Sequence, residues 1–358
     1  MHTLTLTGSP SLGPLFTRGA LFSPGKNRRL SATPGLPGLP RLVLPGVRID
    51  LARLAAYERV CGFPTGEDAV PLTYPHILGF PLAMRLMSDR DFPLPLLGLV
   101  HTSIEITRRR ALPATGEYEL SVYVDELRAH RRGTEAVVVT EVRDGKEGWD
   151  FEEGRNREEG EGDGISAGGI GGIGGIGGIG GIGGEEVAWE SRSTYLARHR
   201  TTGSLPDEAG GGRQSPVHGG ARPSSVAERE PLPAVAEWRL AGDVGRRYGS
   251  ISGDRNPIHM HPLGARLFGF PRAIAHGMWT VARCLAEHGT PPATLVHADF
   301  RAPVALPGTV TYAADGRARG DFELRSGGLP VPGEGLAGTG LAAGGRVHVT
   351  GSVYPLLP

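Results

Sequence analysis

The chain alternates between segments with regular hydrophobic patterning and segments rich in glycine, proline and charge. In the first half, apolar residues recur at helical spacing over residues 51–60 and again over residues 77–87, where Pro81 falls early in the stretch. Runs rich in β-branched and aromatic residues follow, at 99–107, 118–127, 135–142 and 187–197. The pattern predicts two helices followed by four strands.

A second patterned region begins at Ala234. Residues 234–240 have the pattern of a strand, and an apolar stretch from Gly277 to about His288 has helical spacing. Further runs typical of strands follow, at 295–304, 308–314, 320–325 and 346–354. This region is therefore predicted to be a second folded unit built around one long apolar helix.

The two patterned regions share short matches that occur in the same order along the chain. The offsets between them are 191, 196 and 194 residues. The matching pairs are Cys61-Gly62 with Ser252-Gly253, Val100-His101 with Val296-His297, and Leu112-Pro113 with Leu306-Pro307. Three matches in the same order along the chain indicate a tandem duplication of one structural unit.

Three segments lack this patterning. Residues 1–45 alternate proline, glycine and leucine, which predicts a flexible Pro/Gly-rich arm. Residues 144–186 begin with a charged run and continue as Gly-Gly-Ile repeats, which predicts a disordered insertion within a hairpin. Residues 199–233 are polar and rich in glycine and proline, as in a linker. The predicted folded units are therefore 46–198 and 234–358.

Composition narrows the range of partners and compartments. The 358 residues include 38 basic and 38 acidic side chains, so the sequence predicts neither nucleic acid nor a membrane surface as a partner. Cys61 and Cys284 fall in separate halves without metal-ligand spacing, which favours a reducing, cytoplasmic compartment. We find neither a signal peptide nor a membrane-spanning stretch in the sequence.

Candidate chemistry is concentrated in residues 248–278. The turn formers of Ser252-Gly253-Asp254-Arg255-Asn256-Pro257 predict a tight loop without a regular element. Asp254 and His259 lie five residues apart in this segment and can converge on one point. A carboxylate and an imidazole that meet at one water molecule can hold it, activate it and carry its proton. An isolated Asp or His in a loop is more often structural, but the length of this pattern favours catalysis.

A helix start supplies the other half of the predicted site. Gly277 opens the apolar helix, so its N–H would be unpaired at the positive end of the helix dipole. Such a group can stabilise a carbonyl oxygen that gains negative charge. Ser252 and Asn256 are expected to hold the loop by hydrogen bonds. For His276, a packing role at the helix start and a supporting role beside the catalytic pair both remain open.

These residues resemble a known family. SGDRNPIH at 252–259 and AIAHGM at 273–278 are similar to the hydratase-2 motif of the MaoC-like dehydratases, the (R)-specific enoyl-thioester hydratases. Residues 295–312 also resemble the strand and turn that follow the central helix in that family. A departure is His261, where the family usually has an acidic residue. The strong resemblance covers about residues 236–315.

The resemblance implies an α+β double hot-dog fold, in which each tandem unit wraps an antiparallel sheet around a long helix. It implies Asp254 and His259 as the water-holding catalytic pair and the Gly277 N–H as the oxyanion donor. The implied reaction is reversible syn addition of water to a trans-2-enoyl thioester, giving the (R)-3-hydroxyacyl thioester in fatty acyl metabolism. The carrier would be CoA or an acyl carrier protein. The chemistry needs neither an organic cofactor nor a metal.

The first copy lacks the predicted chemistry. Phe63 stands where the second copy has Asp254, and Ile77 stands where it has Gly277. Because Phe cannot ionise, we expect a degenerate N-terminal unit in which His76 is chemically silent. That unit would complete a pseudo-dimer within one chain, and a homodimer of the whole chain is possible.

Two other functions remain open. A hot-dog acyl-thioesterase would share the fold and the oxyanion helix, and fold alone does not decide function. The second is a non-catalytic acyl-binding or assembly subunit. The S-G-D-x-N-P-x-H loop favours hydration over hydrolysis, and the retained Asp254–His259 pair favours an enzyme over a binding subunit.

Overall fold

The computed structural model describes residues 1–23, 26, 38–145, 186–199, 232–316, 318–326 and 345–357. Nearly all of the predicted linker and of the predicted insertion lies outside these residues. No helix in the described part of the chain is long and apolar enough to cross a membrane.

Strands and helices alternate in two blocks. The strands of the first block are β1 (Thr3–Thr5), β2 (Arg41–Arg48), β3 (Val100–Arg108), β4 (Glu117–His130), β5 (Gly133–Asp144) and β6 (Trp189–Arg198). Its helices are α1 (Leu12–Phe22), α2 (Leu51–Cys61) and α3 (Tyr74–Met87).

The second block has a similar arrangement, with more helical segments before its central helix. Its strands are β7 (Ala234–Leu240), β8 (Thr294–Phe300), β9 (Gly308–Ala314), β10 (Gly320–Ser326) and β11 (Val347–Pro355). Its helices are α4 (Val244–Ser252), α5 (Pro257–Met260), α6 (Pro262–Leu267) and α7 (Gly277–His288).

One continuous sheet joins the two blocks. Among the described residues its strand order is β1-β2-β4-β5-β6-β3-β8-β11-β10-β9-β7. β1 pairs with β2 in parallel, and the halves meet through an antiparallel ladder between β3 and β8. In this ladder Ser103 pairs with Asp299, and these positions stand at the same offset of 196 that relates Val100-His101 to Val296-His297. The predicted duplication is therefore confirmed, with a pseudo-twofold axis at this pair.

Each half wraps its sheet around one apolar helix. α3 is buried along most of its length and carries Pro81 within it. It approaches β5 closely at Gly79, where an added Cβ would stand 2.6 Å from Cγ2 of Thr140. α7 buries Met278, Trp279 and neighbouring apolar residues against the second half. The architecture is the double hot-dog that the resemblance implied.

The repeat extends to the helix ends. α2 ends at Gly62 with φ of 82°, and α4 ends at Gly253 with φ of 83°. Both values lie in the left-handed region, which glycine adopts without a Cβ clash. In the second half this turn directs the chain straight into Asp254.

The described part of residues 1–45 is not a flexible arm. β1 pairs with β2, and α1 lies on the first unit, where Leu15 is buried and Arg18 binds Asp89 at 2.8 Å. Leu12 lies against the turn at Gly253, where an added Cβ would stand 2.3 Å from its Cδ1. The alternation of Pro, Gly and Leu concealed leucines whose partners lie far away in sequence. Residues 24–25 and 27–37 are outside the described part.

Hydrogen bonds beyond the sheet also connect the halves. Nε of Arg53 donates to the carbonyl of Ile251 at 2.8 Å, near the end of α4. The indole of Trp279 donates to the carbonyl of Val60 at 2.8 Å. The buried guanidinium of Arg108 donates to the carbonyls of Pro291 and Pro292, at 2.7 and 2.9 Å. The first half therefore supports α4 and α7, the helices on either side of residues 253–276.

Candidate active site

Short-range hydrogen bonds shape the loop that carries Asp254. The hydroxyl of Ser252 accepts from the Asp254 N–H at 3.2 Å, and Oδ1 of Asp254 accepts from the Asn256 N–H at 3.1 Å. Oδ1 of Asn256 then accepts from the Ile258 N–H at 3.3 Å and caps α5. The side chain of Asp254 remains 29% exposed, so the carboxylate is open to a small molecule.

The segment is more helical than the sequence predicted. Only residues 253–256 lack a regular element, because α4 ends at Ser252 and α5 begins at Pro257. Asn256 as cap and proline at the first position favour a helix start. His259 consequently lies on a short helix, where its side chain is fixed by the surrounding backbone.

His259 is buried and held in one orientation. Its Nδ1 lies 2.8 Å from the carbonyl oxygen of Ile274. A carbonyl only accepts, so Nδ1 carries the hydrogen and Nε2 keeps its lone pair. α4 passes very close behind this residue, since a Cβ at Gly245 would stand 2.2 Å from the His259 carbonyl oxygen. The backbone therefore fixes the position of the one free imidazole nitrogen.

His276 lies against both members of the pair. Its Nε2 lies 2.9 Å from the carbonyl oxygen of Asp254 and 3.9 Å from Oδ2 of that residue. Its ring stacks on that of His259 with centroids 3.8 Å apart and lies tilted against that of Tyr248, with centroids 4.9 Å apart. His276 therefore contacts both members of the pair rather than only packing at the helix start.

Ligand atoms of Asp254, His259 and His276 all lie within 4.8 Å of one another. Such a cluster has the composition of a metal site. Nδ1 of His259 and Nε2 of His276 each donate to a carbonyl oxygen, an orientation that metal-binding histidines share. Each ring is left with one lone pair. That arrangement suits a carboxylate and a neutral base around a water molecule. A site without a metal or cofactor stays a prediction.

Burial keeps the imidazoles of His259 and His276 neutral near pH 7. It lowers the pKa of His259, against the opposing effects of Asp254 and of the hydrogen bond to Ile274. Burial and the neighbouring His259 lower the pKa of His276 to about 4, again opposed by Asp254. A neutral His259 can accept a proton at once, as a general base must.

The helix start predicted to bind an oxyanion has the required form. Gly277 is the first residue of α7, so its N–H has no partner within the helix. The ring of Phe300 lies against it, since an added Cβ would be 2.9 Å from Cε1 of Phe300. A larger residue would displace this ring.

Three side chains of the first unit also approach the site, and the sequence analysis did not assign them to it. Burial lowers the pKa of His76 to about 4, and the Asp254 carboxylate opposes that shift. Burial raises the pKa of Tyr195, and Asp254 adds to that shift. His101 contacts Phe300, with ring centroids 4.7 Å apart. The only signal in the sequence was Val100-His101, which served there as a repeat anchor.

We expect the free energy of unfolding to fall when the pH is lowered below 6.5. Burial lowers the folded-state pKa of His259, and lowers those of His76, His276 and His101 to about 4, about 4 and about 3. The unfolded chain therefore binds protons that the folded chain excludes, at about 1.4 kcal/mol per pH unit and group. The contribution of these histidines to the free energy of unfolding is fully present above pH 6.5 and is lost as the pH falls. Urea midpoints at pH 7 and pH 5 test this, and equal midpoints would contradict it.

The fold and the Asp–His loop define the class as a MaoC-like hydro-lyase of double hot-dog architecture. Residues 227–319 match the model of the MaoC like domain. The chain is 32% identical over 312 residues to 3-hydroxyacyl-thioester dehydratase X of Mycobacterium tuberculosis, which covers 84% of this chain and 92% of that protein. The chain therefore belongs to the MaoC-like dehydratase family.

Other comparisons agree. Peroxisomal enoyl-CoA hydratase 2 of Arabidopsis thaliana is 43% identical over 56 residues, 16% of this chain and 18% of that protein. The crystal structure of HtdX of Mycobacterium tuberculosis superposes with a TM-score of 0.60 at 29% identity, covering 88% of this chain and 100% of that one. A MaoC-like dehydratase from Phytophthora capsici shares the fold, with a TM-score of 0.54 at 16% identity over 88% of this chain and 97% of that one.

Proposed function

We propose that this chain catalyses (R)-specific hydration of trans-2-enoyl thioesters and the reverse dehydration of (3R)-hydroxyacyl thioesters in fatty acyl metabolism. The observation that carries the proposal is the pairing of a partly exposed Asp254 carboxylate with His259, whose Nδ1 is committed to Ile274. Membership of the dehydratase family and the names of its relatives support the substrate class.

The proposed step uses one water molecule for both added groups. Asp254 accepts a hydrogen bond from this water and Nε2 of His259 accepts the other. As the water oxygen attacks C3 of the enoyl group, Nε2 takes the proton and then delivers it to C2. One O–H is thus added across the double bond, and His259 ends neutral, as it began. Ser252, Asn256 and His276 act by holding the loop and the orientation of the pair.

The Gly277 N–H is proposed to bind the thioester oxygen. This oxygen gains negative charge when C3 is attacked, and a fixed donor at a helix start stabilises it in the transition state. The same donor would serve in dehydration, when a proton leaves C2. No metal or organic cofactor takes part in these steps.

The finer features of the proposal concern partners and compartment. The acyl group would be carried by CoA or an acyl carrier protein, and the pseudo-dimer within one chain could itself pair into a homodimer. The two buried cysteines are free thiols, which supports a cytoplasmic, reducing compartment.

Incubation with a trans-2-enoyl-CoA tests the function directly. Hydration removes the conjugated enoyl absorbance without releasing thiol, and chiral analysis should give the (R)-3-hydroxyacyl product. Release of free thiol would instead show an acyl-thioesterase. Binding with neither change would show an acyl-binding subunit.

A further inference from the structure

A bulge in β3 turns His101 toward the inner face of the first unit's sheet. His101 pairs with Tyr195, and the register shifts by one residue at Thr102. Side chains alternate along a strand, so without the extra residue His101 would face away from the buried Ile104. Bulges re-aim side chains in this way, often next to active sites.

His101 connects two other polar side chains of the first unit to the second unit. Its ring lies 4.6 Å from that of Tyr195 and 6.1 Å from that of His76, the latter nearly parallel. On its other side it lies 4.7 Å from Phe300, the ring that packs against Gly277. We call His76, His101 and Tyr195 the polar cluster. It adjoins the proposed oxyanion donor with one aromatic ring between them.

Several polar atoms of this region have no hydrogen-bond partner. They are Nδ1 of His76, Nε2 of His101 and the hydroxyl oxygen of Ser191, which lies on the same face of β6 as Tyr195. All three atoms are buried. A buried polar atom destabilises the fold if it stays unpaired. Three of them in one region of the described chain call for a ligand group that pairs with them.

The chemistry of the cluster selects an uncharged partner. Burial holds the pKa of His76 at about 4 and, with the neighbouring His76, that of His101 at about 3, so both rings are neutral near pH 7. Neutral imidazoles and hydroxyls can each donate and accept. A hydroxyl, oxo or amide group satisfies them, whereas an anion would lack a countercharge there.

We propose that the polar cluster is a binding subsite for an uncharged, oxygen-bearing part of the substrate that lies away from the reacting carbons. The inference rests on the proposed function, since it names a part of the same thioester. Two parts have this chemistry: a hydroxyl or oxo group on the acyl chain, and the amides of a pantetheine arm. The first unit then takes part in substrate selection, and His76 is not silent as the sequence suggested.

Replacing His101 by Phe separates this role from a structural one. An aromatic ring and its contacts are kept, but the unpaired Nε2 is removed together with the hydrogen bond that His101 makes with the backbone of Ser103. Because the loss of that bond and the removal of an unpaired nitrogen oppose each other, the melting temperature should change little. We expect kcat/KM to fall at least about tenfold, mainly through KM, for substrates with the recognised group. His130→Phe, on the β4–β5 hairpin of the same unit, is the matched control and should behave as wild type.

The choice of substrate distinguishes the two candidate parts of the thioester, the acyl chain and the pantetheine arm. The test uses trans-2-enoyl-CoA esters with plain acyl chains and with chains that carry hydroxyl or oxo groups. Each acyl chain is also tested as its N-acetylcysteamine thioester, which lacks most of the pantetheine arm. A loss in His101→Phe with all CoA esters but with no N-acetylcysteamine ester assigns the subsite to the arm. A loss confined to oxygenated chains assigns it to the acyl group.

Other outcomes overturn the proposal. An equal loss with every substrate would make His101 a group that positions the catalytic residues, and no loss, or a lower melting temperature, would make it structural. Failure of the proposed function looks different, because wild type would then leave every enoyl thioester unchanged. Calorimetric binding of the CoA esters and N-acetylcysteamine esters to wild type and His101→Phe would still test the subsite in that case.

Discussion

Turnover of a trans-2-enoyl-CoA should fall at least about a hundredfold in Asp254→Asn, since general acid–base help is typically worth 10²–10⁴-fold. The amide oxygen of Asn can still accept from the Asn256 N–H, so the loop keeps its hydrogen bond while the negative charge beside the water is lost. His259→Ala should lose as much, because it removes the nitrogen proposed to accept the proton.

Exposed Arg255, between the two residues, provides the matched control for both variants. Arg255→Ala should retain turnover within a few fold. Circular dichroism and melting temperature establish that each variant is folded. Turnover near the wild-type value in a folded Asp254→Asn or His259→Ala would refute the assignment of the pair.

The isolated segment 234–358 should be insoluble, self-associated or nearly inactive. Without the first unit, β8 would expose the edge that β3 covers, and open strand edges associate. The segment would also lose the hydrogen bond from Arg53 to Ile251, close to the catalytic loop. The measurement is enoyl-CoA turnover together with light scattering of the purified segment.

Co-expression with residues 1–199 is the control for this experiment. The halves meet through a non-covalent ladder, so the two pieces should reassemble and recover activity. A monodisperse, fully active 234–358 monomer would show that the first unit is dispensable.

Strong periodicity made the long elements predictable. The bounds expected for the strand at Ala234–Leu240 and the helix at Gly277–His288 agree with the structure. α1 was missed because its buried Leu15 packs on residues far away in sequence, and β1 was missed because it is a short strand of exposed residues. The short helices α5 and α6 were missed because their caps and prolines are also the residues that form turns.

Local sequence patterns likewise predicted only part of the candidate site. Asp254 and His259 are five residues apart, so local turn chemistry was sufficient to bring them together in a prediction. His101 and Tyr195 depend on the one-residue shift at Thr102, which no hydrophobic pattern reports. Their approach to Phe300 further depends on how two units join in one sheet, which a sequence of repeats does not specify.

The ladder between β3 and β8 couples the folding of the two units. Six residue pairs, from Ser103–Asp299 to Arg108–Thr294, connect the halves at the middle of the sheet. Breaking either unit would expose this ladder, so heat should unfold both in a single calorimetric transition rather than in two steps. The amides of these central strands should be among the slowest to exchange with deuterium. A destabilising change anywhere in the first unit would then lower the temperature at which the catalytic loop is lost.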